Sequence, residues 1–361
     1  MGKKVTILVL TMMVLIGLSG WYVVGGIQAY SRYQQSSIAI QEHCGGQSPV
    51  HICVQSPLEV FSSYYPYYVA IKSNLFTIHY SSNSPITLVM SVSIVGFSLA
   101  EMHTVSATPN VQTISFRPLA INQALRQLTV DDNTWLHVHI TDTAGHLYYD
   151  NDSPLLLHSR WLMQWIAANR LKIAAWVTPD DQAVIALDRK AETHLHLQQQ
   201  PTPPAMIGYA NGASTKAVRD QVDAIFDTMR LDYQIQYSQA SIPYSGPGDN
   251  SVSLQKIKLP AEVLQQHSGM CIELTVLLAS AVESVGLHAE IVIIQGHAFL
   301  GVADTPNNSH FEYWDAVEVN ANDAGDSANV WADKEYLLNE KQIVDTIVIS
   351  DARHQGIDPM L

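Results

Sequence analysis

The sequence predicts an α+β fold in three parts: an N-terminal transmembrane helix, a β-sandwich domain, and a C-terminal α+β domain. Three observations carry this. Val5 to Gly26 is a run of 22 residues without a charge. From about residue 56 to 157 apolar residues recur at every second position, the period of strands. Beyond about residue 178 they recur at helical spacing and then return to short apolar strand-like runs. With 361 residues, a prior of about 150 residues per domain allows two domains and an appendage.

The first segment, 1–28, has Lys3 and Lys4 before the apolar run and Trp21-Tyr22 late in it. About 20 apolar residues in a helix cross a bilayer. The lysines place the N-terminus in the cytoplasm. The apolar core of a cleaved signal peptide is shorter, about 7–15 residues, so an uncleaved single-pass anchor in the cell membrane is expected. Either arrangement makes the C-terminal domains extracytoplasmic. Residues 29–55 lack sustained periodicity and are expected to be a tether. Cys44 and Cys53 lie within it and can close a short disulfide loop in an oxidising compartment. That leaves Cys271 as an odd thiol.

Residues 56–157 are the expected β-sandwich. Ile86, Leu88, Met90, Val92 and Ile94 alternate, as does Trp135-Leu-His-Val-His-Ile140, which runs into the turn letters Thr141-Asp-Thr-Ala-Gly145. The size is immunoglobulin-like, and the likeness is one of architecture only, because the Cys-Trp-Cys core signature is missing. Tyr64, Tyr65, Tyr67 and Tyr68 are expected to pack on a strand. Arg160 to Ala175, apolar and Trp-rich, predicts a connecting helix over 158–177.

The third part, 178–350, opens with Thr178-Pro-Asp-Asp181, which predicts a helix start. Ser214 opens a second helix, with Val218, Val222, Ile225, Phe226 and Met229 on one face. Residues 238–253 are Ser/Gly/Pro-rich and suggest a flap. A third helix runs from Ser268 to Gly286, with Cys271 in its first turn and on the same face as Leu274 and Leu278. The positive end of a helix dipole lowers a thiol pKa, while burial raises it. Residues 351–361 are expected to be a tail.

Two strands follow the third helix, the first reaching Gly296-His297 and continuing to Val302, the second beginning near His310. A hairpin centred near Pro306 sets His297 opposite Asp315, within a residue. Directly opposed side chains have Cβ atoms about 4.5–5.5 Å apart, so Asp315 can hold one imidazole nitrogen and leave the other for the Cys271 thiol. Asp304 and Glu312 are rival carboxylates. Nucleophile, base and orienter are the parts of a catalytic triad.

Gly269-Met-Cys271, Gly286-Leu287, Gly296-His297-Ala-Phe299 and Tyr313-Trp314-Asp315 together resemble the transglutaminase-like superfamily of papain-related cysteine enzymes. Leu259-Pro-Ala-Glu-Val-Leu264 is similar to the segment that precedes the cysteine in that family. The likeness covers about residues 175–320. It implies a papain/transglutaminase-like α+β domain with Cys271 as nucleophile, His297 as base and Asp315 as orienter, and no cofactor. The family usually carries Trp after His-Ala and Pro after the Asp; Phe299 and Ala316 stand there instead, which bears on the substrate subtype. The Cys271 backbone N–H, Gln234 and Gln236 are candidate oxyanion donors.

The expected activity is on amide bonds of peptides or proteins of the cell envelope through a thioester. Hydrolysis is favoured over acyl transfer because no amine site or calcium loop is identifiable. The alternative is a non-catalytic binding or assembly ectodomain on the same fold. A net charge of −14 argues against nucleic acid. His137-Val-His139 and His194-Leu-His196 lack a third ligand at zinc-like spacing along the chain, so no metal site is expected.

Overall fold

The computed structural model describes residues 39–195, 205–239, 253–308, 310–320 and 325–360. The predicted anchor (1–28), the first part of the tether, His196 and residues 240–252 of the predicted flap lie outside them.

The tether expectation fails from Ile40 onward. Ile40–Gly45 (β1) and Val50–Pro57 (β2) are antiparallel strands with Cys44 directly opposite Cys53, and the two are disulfide-bonded. Period-two burial in β2, where Val50, Ile52 and Val54 point inward, is masked in the sequence by the intervening His and Cys. Phe76–Ser82 (β4) and Gln112–Phe116 (β7) complete a sheet of order β1-β2-β4-β7. A second sheet, β3-β9-β8-β5-β6, uses Glu59–Phe61 (β3), Ile86–Ile94 (β5), Glu101–Ala107 (β6), Asp132–Asp142 (β8) and Leu147–His158 (β9). β3 joins β9 in parallel, so the sheet is mixed. The predicted alternation holds: Leu88, Met90, Val92 and Ile94 of β5 and Leu136, Val138 and Ile140 of β8 are buried.

The tyrosine run is not on a strand. Tyr65–Ala70 forms the short helix α1 with Pro66 in its first turn. The side chains of Tyr64, Tyr65 and Tyr67 are buried. A second short helix, Asn122–Gln127 (α2), bridges β7 and β8.

The predicted connecting helix is also absent. Its place is taken by Leu162–Trp165 (β10) and a 3₁₀ segment, Arg170–Trp176. β10 pairs with Ser253–Lys256 (β12), and Trp165 Nε1 donates to Gln255 Oε1 at 2.7 Å. A run that is apolar on every side carries no period that separates strand from helix. This segment joins the two halves. The Tyr64 hydroxyl accepts the Gln164 N–H at 2.8 Å, and Lys172 lies 4.6 Å from the Tyr64 ring centroid and 5.1 Å from that of Tyr67.

Beyond it come Gln182–Leu195 (α3) and Thr215–Asp227 (α4). α3 starts three residues later than predicted, at Gln182 instead of Pro179. Asp181 takes the cap, accepting the Ala183 N–H on its side chain and the Ile185 N–H on its carbonyl. The α4 prediction holds: Ser214 accepts the Ala217 N–H, and Val218, Val222, Ile225 and Phe226 are buried, with Met229 just beyond. Gln236–Tyr237 (β11), Pro260–Gln266 (α5), Ser268–Gly269 (β13) and Cys271–Ser284 (α6) follow. The last sheet, β16-β15-β14-β17, contains Ala289–Ile294 (β14), His297–Ala303 (β15), Phe311–Trp314 (β16) and Ile343–Val348 (β17), with Gly325–Asn339 (α7) between β16 and β17. Ile349–His354 (α8) continues from β17.

The predicted tail is part of the body. Ile357 and Met360 are buried, and the Met360 N–H donates to the Ala175 carbonyl at 2.8 Å. The fold class is therefore α+β with mixed sheets, and the predicted transmembrane helix is not among its described elements. No helix of the described residues is long and apolar enough to cross a membrane.

Candidate active site

α6 is the buried spine of the C-terminal half. Every residue from Cys271 to Val282 is buried, as expected for a helix that is apolar all round. Its start is fixed by a carboxylate and not by Ser268, which lies in β13. Glu273 Oε2 accepts the Met270 N–H at 2.9 Å, its Oε1 accepts the Lys258 N–H at 2.8 Å, and Lys258 Nζ stands 3.5 Å away. Glu273 is thus a clamp on the helix start, and Cys271 is the first helical residue. Gly286, at φ +83°, ends the segment as predicted.

Gly269 is required by packing. A Cβ there would lie 2.8 Å from Leu274 Cδ2 and 3.3 Å from Glu273 Cβ. The glycine lets β13 pass closely over the first turn of α6, with β11 alongside in parallel. Thr275, which the sequence did not single out, joins the helix to the next element. Its hydroxyl lies 2.8 Å from the Cys271 carbonyl and 3.1 Å from the Ala298 carbonyl. One side chain therefore links the residue of the thiol to the neighbour of His297.

The hairpin register differs from the predicted one. Leu300 pairs with Trp314, two residues beyond the partner that a turn centred on Pro306 gives. A two-residue shift returns every side chain to its original face, so Asp315 remains on the His297 side, in a diagonal position just past the end of β16. Diagonal neighbours are within reach of long side chains. His297 Nε2 and Asp315 Oδ2 are 3.0 Å apart. Asp315 Oδ1 accepts the Val317 N–H at 3.1 Å, which orients the carboxylate.

The His297 ring also hydrogen-bonds the Cys271 side chain. Because Asp315 occupies Nε2, Nδ1 is the nitrogen left for sulfur. The structure thus brings Cys271, His297 and Asp315 together. Burial alone would lower the His297 pKa; the hydrogen bonds and charges of Asp315 and Cys271 overcome it and raise the group to about 10. The side chains of His297 and Asp315 are 18% and 7% exposed, and Cys271 is 1% exposed.

The rival carboxylates are engaged elsewhere. Glu312 forms a two-pronged pair with Arg219 at 2.6 and 3.0 Å, and Asp304 lies 3.4 Å from His310. Gln236 Nε2 donates to the Gln234 carbonyl at 3.3 Å, and both residues are exposed. The Cys271 N–H stands in the first turn of α6, where donors lack intrahelical acceptors.

Tyr237, the last residue of β11, is a further neighbour of the pair. Burial first, then the nearby Cys271 and Asp315, raise its pKa. Its hydroxyl therefore remains protonated at neutral pH beside the pair.

Comparison of the chain with protein families, with curated proteins and with solved structures returns no match.

Proposed function

We propose that the chain is a thiol enzyme acting on amide bonds of peptides or proteins. The observation that supports this best is the His297 ring held between the Asp315 carboxylate, at 3.0 Å, and the Cys271 thiol. An imidazolium next to a cysteine at a helix start is the setting in which reactive thiolates occur.

In this reading the sulfur of Cys271 attacks the amide carbonyl carbon, and the developing oxyanion meets the first-turn N–H groups of α6. Protonated His297 then gives its proton to the nitrogen as the C–N bond breaks. The amine leaves and a thioester remains. His297, now neutral, takes a proton from water as water attacks the thioester. The C–S bond breaks, a carboxylic acid leaves, and the thiolate and the protonated His297 are restored. Asp315 keeps the ring oriented throughout. Hydrolysis is preferred over transfer to an amine for the reason given by the sequence. The likeness of Gly269-Met-Cys271, Gly296-His297-Ala-Phe299 and Tyr313-Trp314-Asp315 to transglutaminase-like enzymes supports the same reading. The Cys44–Cys53 disulfide supports an oxidising, extracytoplasmic setting, with cell-envelope peptides or proteins as substrates.

One observation favours a second reading. Cys271 is 1% exposed, as expected of a non-catalytic binding ectodomain that keeps the fold. Iodoacetamide separates the two. A thiolate paired with His297 is alkylated in the folded chain near neutral pH faster than free cysteine. A Cys271 that reacts no faster, or only after unfolding, leaves the binding reading standing.

A further inference from the structure

The structure points to a second site, remote in chain position from the thiol and independent of the thiol reading. We infer that His137, His139 and Asp150 on the β8–β9 hairpin bind a divalent transition-metal ion of the zinc class. The decisive feature is a juxtaposition that chain spacing does not reveal. His137 and His139 are two apart on β8 and so share a face. The third ligand comes from the neighbouring strand, because β9 pairs Asp150 with His139 and Asp152 with His137.

The ligand atoms are already gathered. Asp150 Oδ1 lies 3.8 Å from His137 Nε2 and 3.5 Å from His139 Nδ1, and one ligand atom from each of the three residues falls within 4.8 Å of the others. An ion bound to nitrogen and oxygen at about 2.0–2.1 Å in a tetrahedron spaces its ligand atoms about 3.3–3.4 Å apart. Both separations contract to that value with small side-chain rotations. The two imidazoles are near parallel, with centroids 6.2 Å apart and planes at 19°.

A fourth residue argues for binding over a merely solvated face. His137 Nδ1 lies 2.7 Å from Asp152 Oδ1. A carboxylate accepts, so Nδ1 carries a hydrogen, and in the neutral ring the lone pair is then on Nε2, the nitrogen nearer Asp150. A metal-bound histidine almost always donates its other N–H to such a partner, which fixes its tautomer. Two neutral imidazoles and one carboxylate suit zinc, copper or nickel better than calcium or magnesium, which prefer oxygen. The four side chains are between 38% and 58% exposed, so the fourth coordination position opens to solvent and would hold water or an outside ligand.

The test is calorimetric titration of the full chain with zinc chloride, in a Cys271→Ser background so that the thiol contributes nothing. Cobalt(II) serves as an absorbing reporter of coordination. One ion per chain is expected. His139→Gln should weaken binding at least about 100-fold, and Asp150→Asn, which keeps the side chain's shape, should also weaken it and change the cobalt spectrum. Asp152→Asn, acting through His137, should cost about 10–100-fold. His103→Gln, on another strand, should leave affinity unchanged. Thermal melts in chelator verify that each variant is folded. Absence of stoichiometric binding, or binding that His137→Gln and His139→Gln leave intact, overturns the assignment.

Discussion

Two histidine–aspartate pairs of nearly equal length stand in very different surroundings. His297 and Asp315 are 3.0 Å apart at the end of the β15–β16 hairpin; His137 and Asp152 are 2.7 Å apart on the open face of β8 and β9. The buried pair has a thiol as its third member, while the open pair has a second histidine and another aspartate. Distance therefore does not decide what a pair can do. Burial makes each charge depend on its partner, and the third group selects between nucleophile activation and metal ligation.

The largest expected effect breaks the buried pair. At pH 6.5 a free thiol, with a pKa of about 8.5, is roughly 1% ionised, so a fully paired thiolate reacts up to about 100-fold faster. His297→Asn should remove most of that advantage in iodoacetamide alkylation of Cys271, whereas His137→Gln should leave the rate untouched. Equal rates in wild type and His297→Asn would show that the imidazole does not ionise the sulfur.

The second effect is on stability and follows from the raised His297 pKa, from about 6.5 to about 10. Between these values the native state holds a proton that the unfolded chain has released. The pair's contribution is complete below about pH 6.5 and is lost as pH rises through about 10. His297→Asn should therefore cost a few kcal/mol at pH 6 and little at pH 10. Burial lowers Lys172 to about 7. That gives the opposite slope over pH 7–10.5, so only the difference between wild type and variant isolates His297. Denaturant melts at pH 6, 8 and 10 measure it, and a difference that does not shrink with pH contradicts the pairing.

The third tests how closely the thiol is held. Gly269→Ala forces a Cβ to within 2.8 Å of Leu274 Cδ2. Overpacking of this kind costs about 1–3 kcal/mol. Because β13 and the start of α6 must separate to relieve it, alkylation of Cys271 should slow as the midpoint of unfolding falls. A fall in stability with an unchanged alkylation rate would mean that Gly269 serves the core alone.

The two sites also differ in how far the sequence discloses them. Cys271 and His297 were legible because each stands at an element boundary marked by glycine, and Asp315 because the error in register was two residues and so kept it on its face. Alternation in β5 and β8 and the apolar stripe of α4 were legible for the same periodic reason. The segment 160–176 was not, since an apolar run shows no period, and Ile40–Pro57 was not, since His and Cys interrupt its alternation. Thr275 has no signal beyond lying four residues after Cys271. The face of His137 and His139 was readable along β8, but Asp150 and Asp152 join it only through the register of β9, which a bulge between Ile140 and Thr141 alters.

The smallest effect belongs to the open pair in the absence of metal. Exposed ion pairs contribute about 0–1 kcal/mol, because water competes for both groups and salt screens them. His137→Gln and Asp152→Asn should each move the unfolding free energy in chelator by no more than about 0.5 kcal/mol. Added zinc should then separate wild type from the variants. An ion that binds only the folded chain stabilises it by about 2.7 kcal/mol at 100 times its dissociation constant. A large metal-free loss in either variant would mean that the open pair, like the buried one, supports the fold, and would erase the distinction drawn between them.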